Sequence, residues 1–379
     1  MKKNIVFLFT LIFVFLALSP FAFASGKKDE DFLVPPPEFD LPAQPGLNIQ
    51  ETDVNIGQSE AVPATVLEIG RQNVTYAKKM PEGNPLEFEE VWAYVLDGRE
   101  NQWNPSMPIT DLCYFSADVN AYGEINSVPN PKKIKGFNGR MHLVFTVTGR
   151  ALTHFSLSPK YDVRNGILDV IERESKRYDG IQIDFENVPA RDSGNFITLL
   201  QEIRNRIGEE KMLTVALAAR TRTIADDIYP YQKIEPIVDR IIVMAYDEHW
   251  SGSKPGPVAS MDWCRRVADY CVKVLPKRKI VMGLPFYGRS WQDQNYGTAW
   301  VYKSINRILG EEGISNVERK EGIPYFQFTA QVNVTGYFDD TYSLVERSRM
   351  YKDKGVRKVG FWRVGQEDLD FWSWLKISE

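Results

Sequence analysis

Eight short apolar segments between residues 91 and 362 constrain the fold of this chain more than any other feature. They are predicted as strands at Val91–Val95, Asp111–Phe115, His142–Val147, Gly180–Phe185, Leu213–Ala218, Ile241–Ala245, Ile280–Leu284 and Lys358–Trp362. Amphipathic helices are predicted between several of them, at Asn165–Tyr178, Ser193–Ile207 and Met261–Val274. Eight strands interleaved with helices over about 290 residues are typical of a (β/α)8 TIM barrel, which is an α/β fold.

The stretch between the seventh and eighth predicted strands is too long for a single barrel helix. We interpret residues 291–341 as a small α+β insertion within a barrel domain that spans residues 86–379. An open doubly wound sheet is the alternative fold. It is disfavoured because no glycine-rich phosphate loop follows the first strand, and because eight strands are many for that class.

The first residues are typical of an export signal rather than of a folded domain. A positive start at Lys2 precedes an apolar run from Ile5 to Leu18, and Ala22-Phe23-Ala24 has the small-x-small pattern that signal peptidase accepts. We therefore predict a cleaved signal peptide at residues 1–24. The mature protein is expected to be secreted or to reside in the periplasm or cell envelope, without a membrane anchor. Residues 25–85 are predicted to form a proline-rich, acidic N-terminal segment.

Charge and composition exclude several classes of partner. The formal net charge is −4 and no basic cluster stands out, so nucleic acid is a poor partner. Three cysteines are too few, and odd in number, for a disulfide framework, so Cys113, Cys264 and Cys271 are expected to be buried thiols. The three histidines lack the spacing of zinc ligands, and we predict neither a metal nor a cofactor. The chain is expected to act as a monomer.

The fourth predicted strand carries polar side chains at alternate positions. Gln182, Asp184 and Glu186 share one face, and the residues between them are apolar. In a barrel the apolar face meets the helices and the polar face points inward, with Glu186 nearest the C-terminal mouth, where barrel active sites lie. Two carboxyls so close resist joint ionisation, so one keeps its proton near neutral pH and can act as a general acid. A structural ion-pair network is the alternative that polarity alone leaves open.

This strand resembles the strand-four signature of glycoside hydrolase family 18, a run of alternating polar residues that ends in Glu. The segments that resemble the family at strands six, seven and eight are Met244-Ala245-Tyr246-Asp247, Gly283-Leu284-Pro285-Phe286-Tyr287-Gly288 and Phe361-Trp362. Residues 187–189, 247–250 and 255–257 resemble the bacterial branch of spore-germination and cortex-lytic N-acetylglucosaminidases. The resemblance covers about residues 88–375 and includes the whole predicted barrel.

The resemblance implies a substrate-assisted, retaining hydrolysis of β-1,4 bonds in glycans that contain N-acetylglucosamine. Glu186 would protonate the leaving oxygen and then activate water. Asp184 would hold the acetamido group, whose carbonyl oxygen attacks the anomeric carbon, and Tyr246 would bind that carbonyl. Trp362 would stack beneath the sugar. The implied catalytic residues are Glu186, Asp184 and Tyr246, and the implied substrate-binding residues are Trp362, Asp247, Tyr94, Gln182 and Trp250.

Two positions depart from the family pattern. Gln182 stands where most members have Asp, so it can hydrogen-bond Asp184 but adds no negative charge beneath it. We therefore expect Asp184 to ionise more easily than in those members, with lower activity or a shifted pH profile. Strand three, which reads Phe145-Thr146-Val147-Thr148-Gly149, also lacks the family's usual pattern, and this affects the expected substrate preference.

Three functions are consistent with these features. The first is a glycosidase that acts on peptidoglycan or on chitin-type glycans, with peptidoglycan favoured by the export signal and by the cortex-lytic resemblance. The second is a non-catalytic, lectin-like barrel, which the neutral Gln182 supports and the presence of Glu186 opposes. The third is an envelope scaffold in which the barrel is incidental, but nothing specific in the N-terminal segment supports it.

Overall fold

Eight parallel strands form a closed barrel in the computed structural model, which describes residues 76–293, 302–320 and 323–378. The barrel strands are Glu90–Leu96, Asp111–Asp118, Arg140–Val147, Gly180–Phe185, Met212–Ala218, Arg240–Met244, Ile280–Pro285 and Lys358–Trp362. Strands that are adjacent along the chain pair with each other, and the eighth strand pairs with the first and the seventh. The predicted TIM barrel is confirmed, and the fourth and eighth strands have the predicted ends.

The two ends of the described chain meet beside the barrel. The short strand Leu86–Phe88 pairs in parallel with Leu375–Ile377, outside the barrel sheet. The predicted signal peptide at residues 1–24 and residues 25–75 of the predicted N-terminal segment lie outside the described residues. Among the helices that the structure describes, none has the length and apolar character that crossing a membrane requires.

The described residues form seven α-helices, and capping side chains or glycine mark the ends of some of them. They are Arg150–Leu157, Asp162–Ser175, Ser193–Ile207, Tyr231–Ile234, Met261–Val274, Ile305–Glu311 and Thr341–Asp353. Before Met261–Val274, the Ser260 hydroxyl accepts a hydrogen bond from the Trp263 backbone N–H at 3.4 Å. Ser193–Ile207 ends at Gly208, whose positive φ of 74° favours glycine. Two of the three predicted helices, those beginning at 193 and 261, have the predicted ends.

Apolar side chains pack on both sides of the barrel wall. On strand four, Ile181, Ile183 and Phe185 face outward and join the large core between the strands and the helices. A second, smaller cluster fills the barrel interior and consists of Trp92, Tyr94, Cys113, Val144, Ala216, Ile242 and Val281. The alternation along strand four therefore places Gln182 and Asp184 inside the barrel, as predicted. The three cysteines are buried free thiols, also as predicted.

Charged side chains close the amino-terminal end of the barrel. Arg140 donates to both oxygens of Asp111, from Nε at 2.7 Å and from Nη2 at 2.8 Å. His142 Nε2 lies 2.9 Å from Asp111 Oδ1, and Arg240 Nε donates to Glu90 at 2.9 Å. These contacts pair the charges at this end of the barrel, although the buried Nδ1 atom of His142 has no hydrogen-bond partner among the described residues.

The segment between barrel strands seven and eight contains both strands and a helix. Arg289–Gln292 pairs antiparallel with Val334–Tyr337, and these two strands frame the segment. Within it lie the helix Ile305–Glu311 and a hairpin formed by Glu318–Lys320 and Ile323–Tyr325. The predicted α+β character of this insertion is confirmed for its described residues.

Candidate active site

A cleft of about 700 Å³ opens at the carboxyl ends of the barrel strands. Six of the eight predicted site residues line it: Asp184, Glu186, Tyr246, Asp247, Trp250 and Trp362. The other two, Tyr94 and Gln182, are buried in the barrel interior below the cleft. The structure thus brings the predicted residues of strands four, six and eight to one opening, although they are far apart in the sequence.

The backbone of Glu186 is held on both sides at the end of strand four. Its N–H donates to the carbonyl of Val147 at 3.0 Å, and its carbonyl accepts from the Thr153 hydroxyl at 3.0 Å. The next residue, Asn187, adopts a positive φ of 54°, which Asn tolerates better than most residues. These contacts fix the position from which the half-buried Glu186 side chain enters the cleft.

Asp184 is buried beneath the cleft, with 8% of its surface exposed. Burial raises the pKa of its carboxyl well above the usual range, and the nearby charge of Glu186 raises the pKa further. A neutral Gln at position 182 removes the negative charge that an Asp would place there. Burial, the largest cause of the raised pKa of Asp184, remains. Among the described residues, no group hydrogen-bonds the Oδ1 atom of Asp184.

Gln182 is fully buried, and its amide is oriented by other groups than Asp184. Its Oε1 atom accepts a hydrogen bond from the Tyr94 hydroxyl at 2.6 Å. Its Nε2 atom donates to the Thr214 hydroxyl at 3.2 Å and to Cys113 Sγ at 3.5 Å. The expected hydrogen bond to Asp184 is replaced by these three, because the long side chain reaches across the barrel. Tyr94 thus contacts the inner polar row through Gln182, and its role in supporting that row stays a prediction.

Tyr246 and Trp362 present rings to the cleft from strands six and eight. Burial raises the pKa of the Tyr246 phenol well above the usual range, so its hydroxyl stays protonated and can donate a hydrogen bond. The ring of Trp362 packs edge-on against Phe115 at 4.7 Å and tilts against Tyr94 at 5.2 Å. These two contacts support the indole from within the barrel while leaving it part of the cleft wall.

Asp247 forms a cluster with two residues that the sequence analysis did not select. Its Oδ1 atom accepts from the Tyr287 hydroxyl at 2.6 Å and from Arg289 Nε and Nη2 at 3.0 and 2.8 Å. Asp247 also has a positive φ of 59°, which directs the chain away from the end of strand six. Arg289 directly follows the strand-seven segment that resembles the family, and that proximity is the signal by which it could have been found.

Trp250 lines the cleft from the loop that follows strand six. Its backbone carbonyl accepts a hydrogen bond from Trp291 Nε1 at 3.0 Å, which ties the loop to the insertion. At the base of the loop, Glu248 accepts from the Ser260 backbone N–H at 2.8 Å. The loop is therefore anchored at both ends, and these contacts hold Trp250 in the cleft wall.

Polar residues from strands two and three complete the lining, and sequence reasoning missed their role. Asp118 and Thr146 lie at the carboxyl ends of these strands, and both reach the cleft. Within the described part of the chain, no group of three or more His, Cys, Asp or Glu side chains is arranged to hold a metal. The cleft thus combines carboxyls, phenols and indoles, which are the groups that recognise and protonate a carbohydrate.

Comparisons with known proteins agree with this arrangement. The model of glycosyl hydrolases family 18 matches residues 93–367. The chain is 30% identical over 213 residues to "Putative sporulation-specific glycosylase YdhD" of Bacillus subtilis, and the match covers 53% of this chain and 50% of the relative. It is 23% identical to the cortical fragment-lytic enzyme of Bacillus anthracis, with 68% and 65% covered. The chain thus spans between half and two thirds of the length of these curated relatives.

Solved structures share the barrel. The spore cortex-lytic enzyme SleL of Bacillus cereus aligns with a TM-score of 0.59 at 20% identity, over 79% of this chain and 76% of that one. At this identity the likeness concerns the fold. The family match, by contrast, rests on the sequence and includes the ends of strands four, six and seven that carry the cleft residues.

Proposed function

The chain belongs to glycosyl hydrolases family 18, and we propose that it cleaves β-1,4 bonds next to N-acetylglucosamine by a substrate-assisted, retaining mechanism. One observation carries the proposal. The buried Oδ1 atom of Asp184, which no described group hydrogen-bonds, lies in the cleft wall beside Glu186 and within the same lining as Tyr246. A buried polar atom of this kind is costly unless a ligand satisfies it, and an acetamido N–H is a suitable donor.

In the first step, Glu186 protonates the glycosidic oxygen as the C–O bond to the anomeric carbon breaks. The substrate's own acetamido carbonyl oxygen bonds to that carbon from the opposite face, and Asp184 accepts the hydrogen bond of the acetamido N–H. The Tyr246 hydroxyl donates to the acetamido oxygen and aligns it for attack. Because the charge develops on groups enclosed by the barrel, their orientation stabilises it without a large rearrangement.

In the second step, a water molecule attacks the anomeric carbon and opens the ring formed by the acetamido group. Glu186, now deprotonated, takes the proton from this water and returns to its starting state. Two inversions at the same carbon give overall retention. The raised pKa of Asp184 favours retention of a proton by this pair of carboxyls, and we propose that Glu186 delivers that proton to the leaving oxygen.

We propose the glycan of peptidoglycan as the first substrate to test and chitin-type oligomers as the second. The names of the relatives support this order, since one is a sporulation-specific glycosylase and another a cortical fragment-lytic enzyme. The sequence of residues 1–24 supports export to the cell envelope or beyond. The proposed active form is a monomer without a membrane anchor.

A lectin-like barrel is the second candidate, and Gln182 is the observation that favours it. A neutral amide locked by Tyr94 and Thr214 replaces the carboxyl that most family members carry at the base of the row. A barrel that binds without cleaving would need the cleft but not the shared proton. The two candidates therefore differ in turnover and not in the shape of the cleft.

The mechanism is tested by the anomeric configuration of the first product and by whether the substrate must carry an acetamido group. Chitin tetramer and cellotetraose, which lacks acetamido groups, are incubated with the mature protein, and the first product is followed by proton NMR. We expect cleavage of the chitin tetramer alone, with the β-anomer formed first. Cleavage of cellotetraose, or initial release of the α-anomer, would contradict a substrate-assisted mechanism. Binding of the tetramer without any cleavage would favour the lectin-like alternative.

A further inference from the structure

Asp118 places a carboxylate in the cleft, away from the groups assigned to the reaction. It is the last residue of barrel strand two, and its Oδ1 atom accepts hydrogen bonds from the Thr146 hydroxyl and, at 2.5 Å, from the Ser116 hydroxyl. Both of these hydrogen bonds end on Oδ1, and the exposed Asp118 side chain lies in the cleft lining. The two hydroxyls thus orient the carboxylate while it remains accessible from the cleft.

The register of three neighbouring strands places Asp118 beside the catalytic row. Asp118 is paired with Thr146 on strand three, and Thr146 is paired with Asp184 on strand four. Since adjacent strands lie about 4.8 Å apart, the Cα atoms of Asp118 and Asp184 are separated by roughly 10 Å. Asp118 therefore lies too far away to touch the acetamido group held by Asp184, but it is within reach of a neighbouring sugar of the same glycan.

The charges that line the cleft are unbalanced. Four carboxyls reach it, those of Asp118, Asp184, Glu186 and Asp247. Among the described lining residues the only cation is Arg289, and it is paired with Asp247 at 2.8 Å. Apart from Arg289, no described residue of this lining carries a positive charge that could neutralise Asp118. A ligand group next to Asp118 therefore experiences a negative field.

We propose that Asp118 selects the sugar next to the reacting one, accepting a hydrogen bond from a hydroxyl or protonated amine and repelling a free carboxylate. The inference rests on the proposed function and narrows its substrate class to glycans that are neutral or amine-bearing at this position. In peptidoglycan, a muramic acid whose lactyl carboxyl is free is disfavoured there, and one whose carboxyl is bound as an amide is accepted. The proposal makes Asp118 a specificity-determining residue for the cleavage.

The test uses two ligands that differ only in charge. Peptidoglycan strands stripped of their peptides by an amidase carry free lactyl carboxylates, and coupling to methylamine with a carbodiimide neutralises them. Binding of both is measured by calorimetry with the Glu186→Gln variant, which keeps the glycan intact. We expect the neutral strands to bind about fivefold more tightly at low salt, as repulsion of one charge across several ångströms in a wet cleft predicts. The preference should shrink in about 1 M salt, since exposed charges are screened.

Adding Asp118→Asn to this protein is expected to bring the ratio of the two affinities close to one. The matched control is Asp353→Asn, which removes an exposed carboxylate at the carboxyl end of the last helix, outside the cleft, and should leave the ratio unchanged. Thr146→Val provides a second variant, because loss of one orienting hydroxyl should reduce the ratio without removing the charge. Melting temperatures of all variants establish that each is folded.

The outcomes separate this inference from the proposed function. An unchanged preference for neutral strands in the Asp118→Asn variant would overturn the inference, as would equal binding of both ligands by the parent. Cleavage of chitin tetramer by the wild type combined with equal binding would leave the proposed function intact and refute the role of Asp118. If the charge preference depends on Asp118 but the wild type cleaves no glycan, the role of Asp118 would stand and the proposed function would be refuted. Absence of binding to either strand would contradict both.

Discussion

Removing one oxygen atom at Tyr94 tests the internal hydrogen-bond network under the active site. The Tyr94 hydroxyl donates to Gln182 Oε1 at 2.6 Å, in a part of the barrel where Gln182 has 0% of its surface exposed. Burial raises the pKa of the Tyr94 phenol well above the usual range, so this hydroxyl stays protonated and can donate near neutral pH. Tyr94→Phe deletes the donor and leaves the buried acceptor without its partner.

The expected loss of stability follows from the buried Gln182 oxygen that is left without a donor. Loss of a hydrogen bond that leaves one buried group unsatisfied lowers the free energy of unfolding by about 1–3 kcal/mol. Burial at Tyr94 and Gln182 is nearly complete, so water has little access to compensate, and we expect a value of about 2 kcal/mol. With an m value of about 3 kcal/mol/M, the midpoint of urea unfolding falls by about 0.7 M.

The assay is urea unfolding of the wild type, Tyr94→Phe, Gln182→Met and the double variant. In the Gln182→Met background the acceptor is already gone, so Tyr94→Phe should cost much less, with a coupling free energy of about 1 kcal/mol or more. The matched control is Tyr122→Phe, because Tyr122 is 86% exposed, and its free energy of unfolding should stay within about 0.5 kcal/mol of the wild-type value. Strict additivity of the two core substitutions, or equal effects at Tyr94 and Tyr122, would refute the network.

Three further predictions concern other parts of the barrel. The pKa of Asp184 is raised in the native state, so the wild type loses stability as pH rises above the unfolded pKa of about 4. The stability of Asp184→Asn relative to the wild type should therefore increase with pH above this point in urea unfolding, and a constant difference would contradict this. Arg289→Lys breaks the two-nitrogen contact to Asp247 and should lower kcat/KM on chitin oligomers about tenfold; an unchanged value would show that the contact is dispensable. Gly180→Ala places a Cβ 2.9 Å from a backbone carbonyl oxygen and should cost about 1–3 kcal/mol, whereas Gly166→Ala, a helical position with open space, should stabilise by about 0.5–1 kcal/mol; thermal unfolding that ranks them otherwise would refute the packing argument.

The barrel could be predicted from the sequence because its strands are short, mostly apolar and regularly spaced between helices. Lys358–Trp362 was recognised by its apolar run, and Gly180–Phe185 by its alternation of polar and apolar residues, and both have the predicted ends. The helix predicted at residues 165–178 begins instead at Asp162 and ends at Ser175. Its periodic residues continue into the turn that leads to strand four, so periodicity alone misplaced its ends.

The positions of the catalytic row were predictable, but its hydrogen bonds were not. Alternation along strand four indicates which side chains point inward, and this was enough to place Asp184 and Glu186. It does not indicate what lies opposite Gln182, because Tyr94, Cys113 and Thr214 come from three other strands. These side chains contact Gln182 only because the barrel closes and places residues from distant parts of the chain at the same height along its axis.

A second physical reason explains why several residues of the cleft could not be predicted from the sequence. Arg289 and Tyr287 follow strand seven, yet their role depends on Asp247, which lies in the loop after strand six. Asp118 and Thr146 lie in segments that read as ordinary strand ends, and only the pairing register places them beside Asp184. Local patterns reveal the elements, whereas a site built from the ends of several strands requires the register between them.

The most direct test of the central claim is glycan cleavage followed by mass spectrometry. The mature wild type, Glu186→Gln and a control, Glu209→Gln, are incubated with purified peptidoglycan and with chitin oligomers. Glu209 is exposed just before strand five, at the opposite end of the barrel from the cleft. We expect fragments from the wild type and the control, whose masses identify the cleaved bond, and none from Glu186→Gln. Equal cleavage by Glu186→Gln and the wild type would show that another residue supplies the proton.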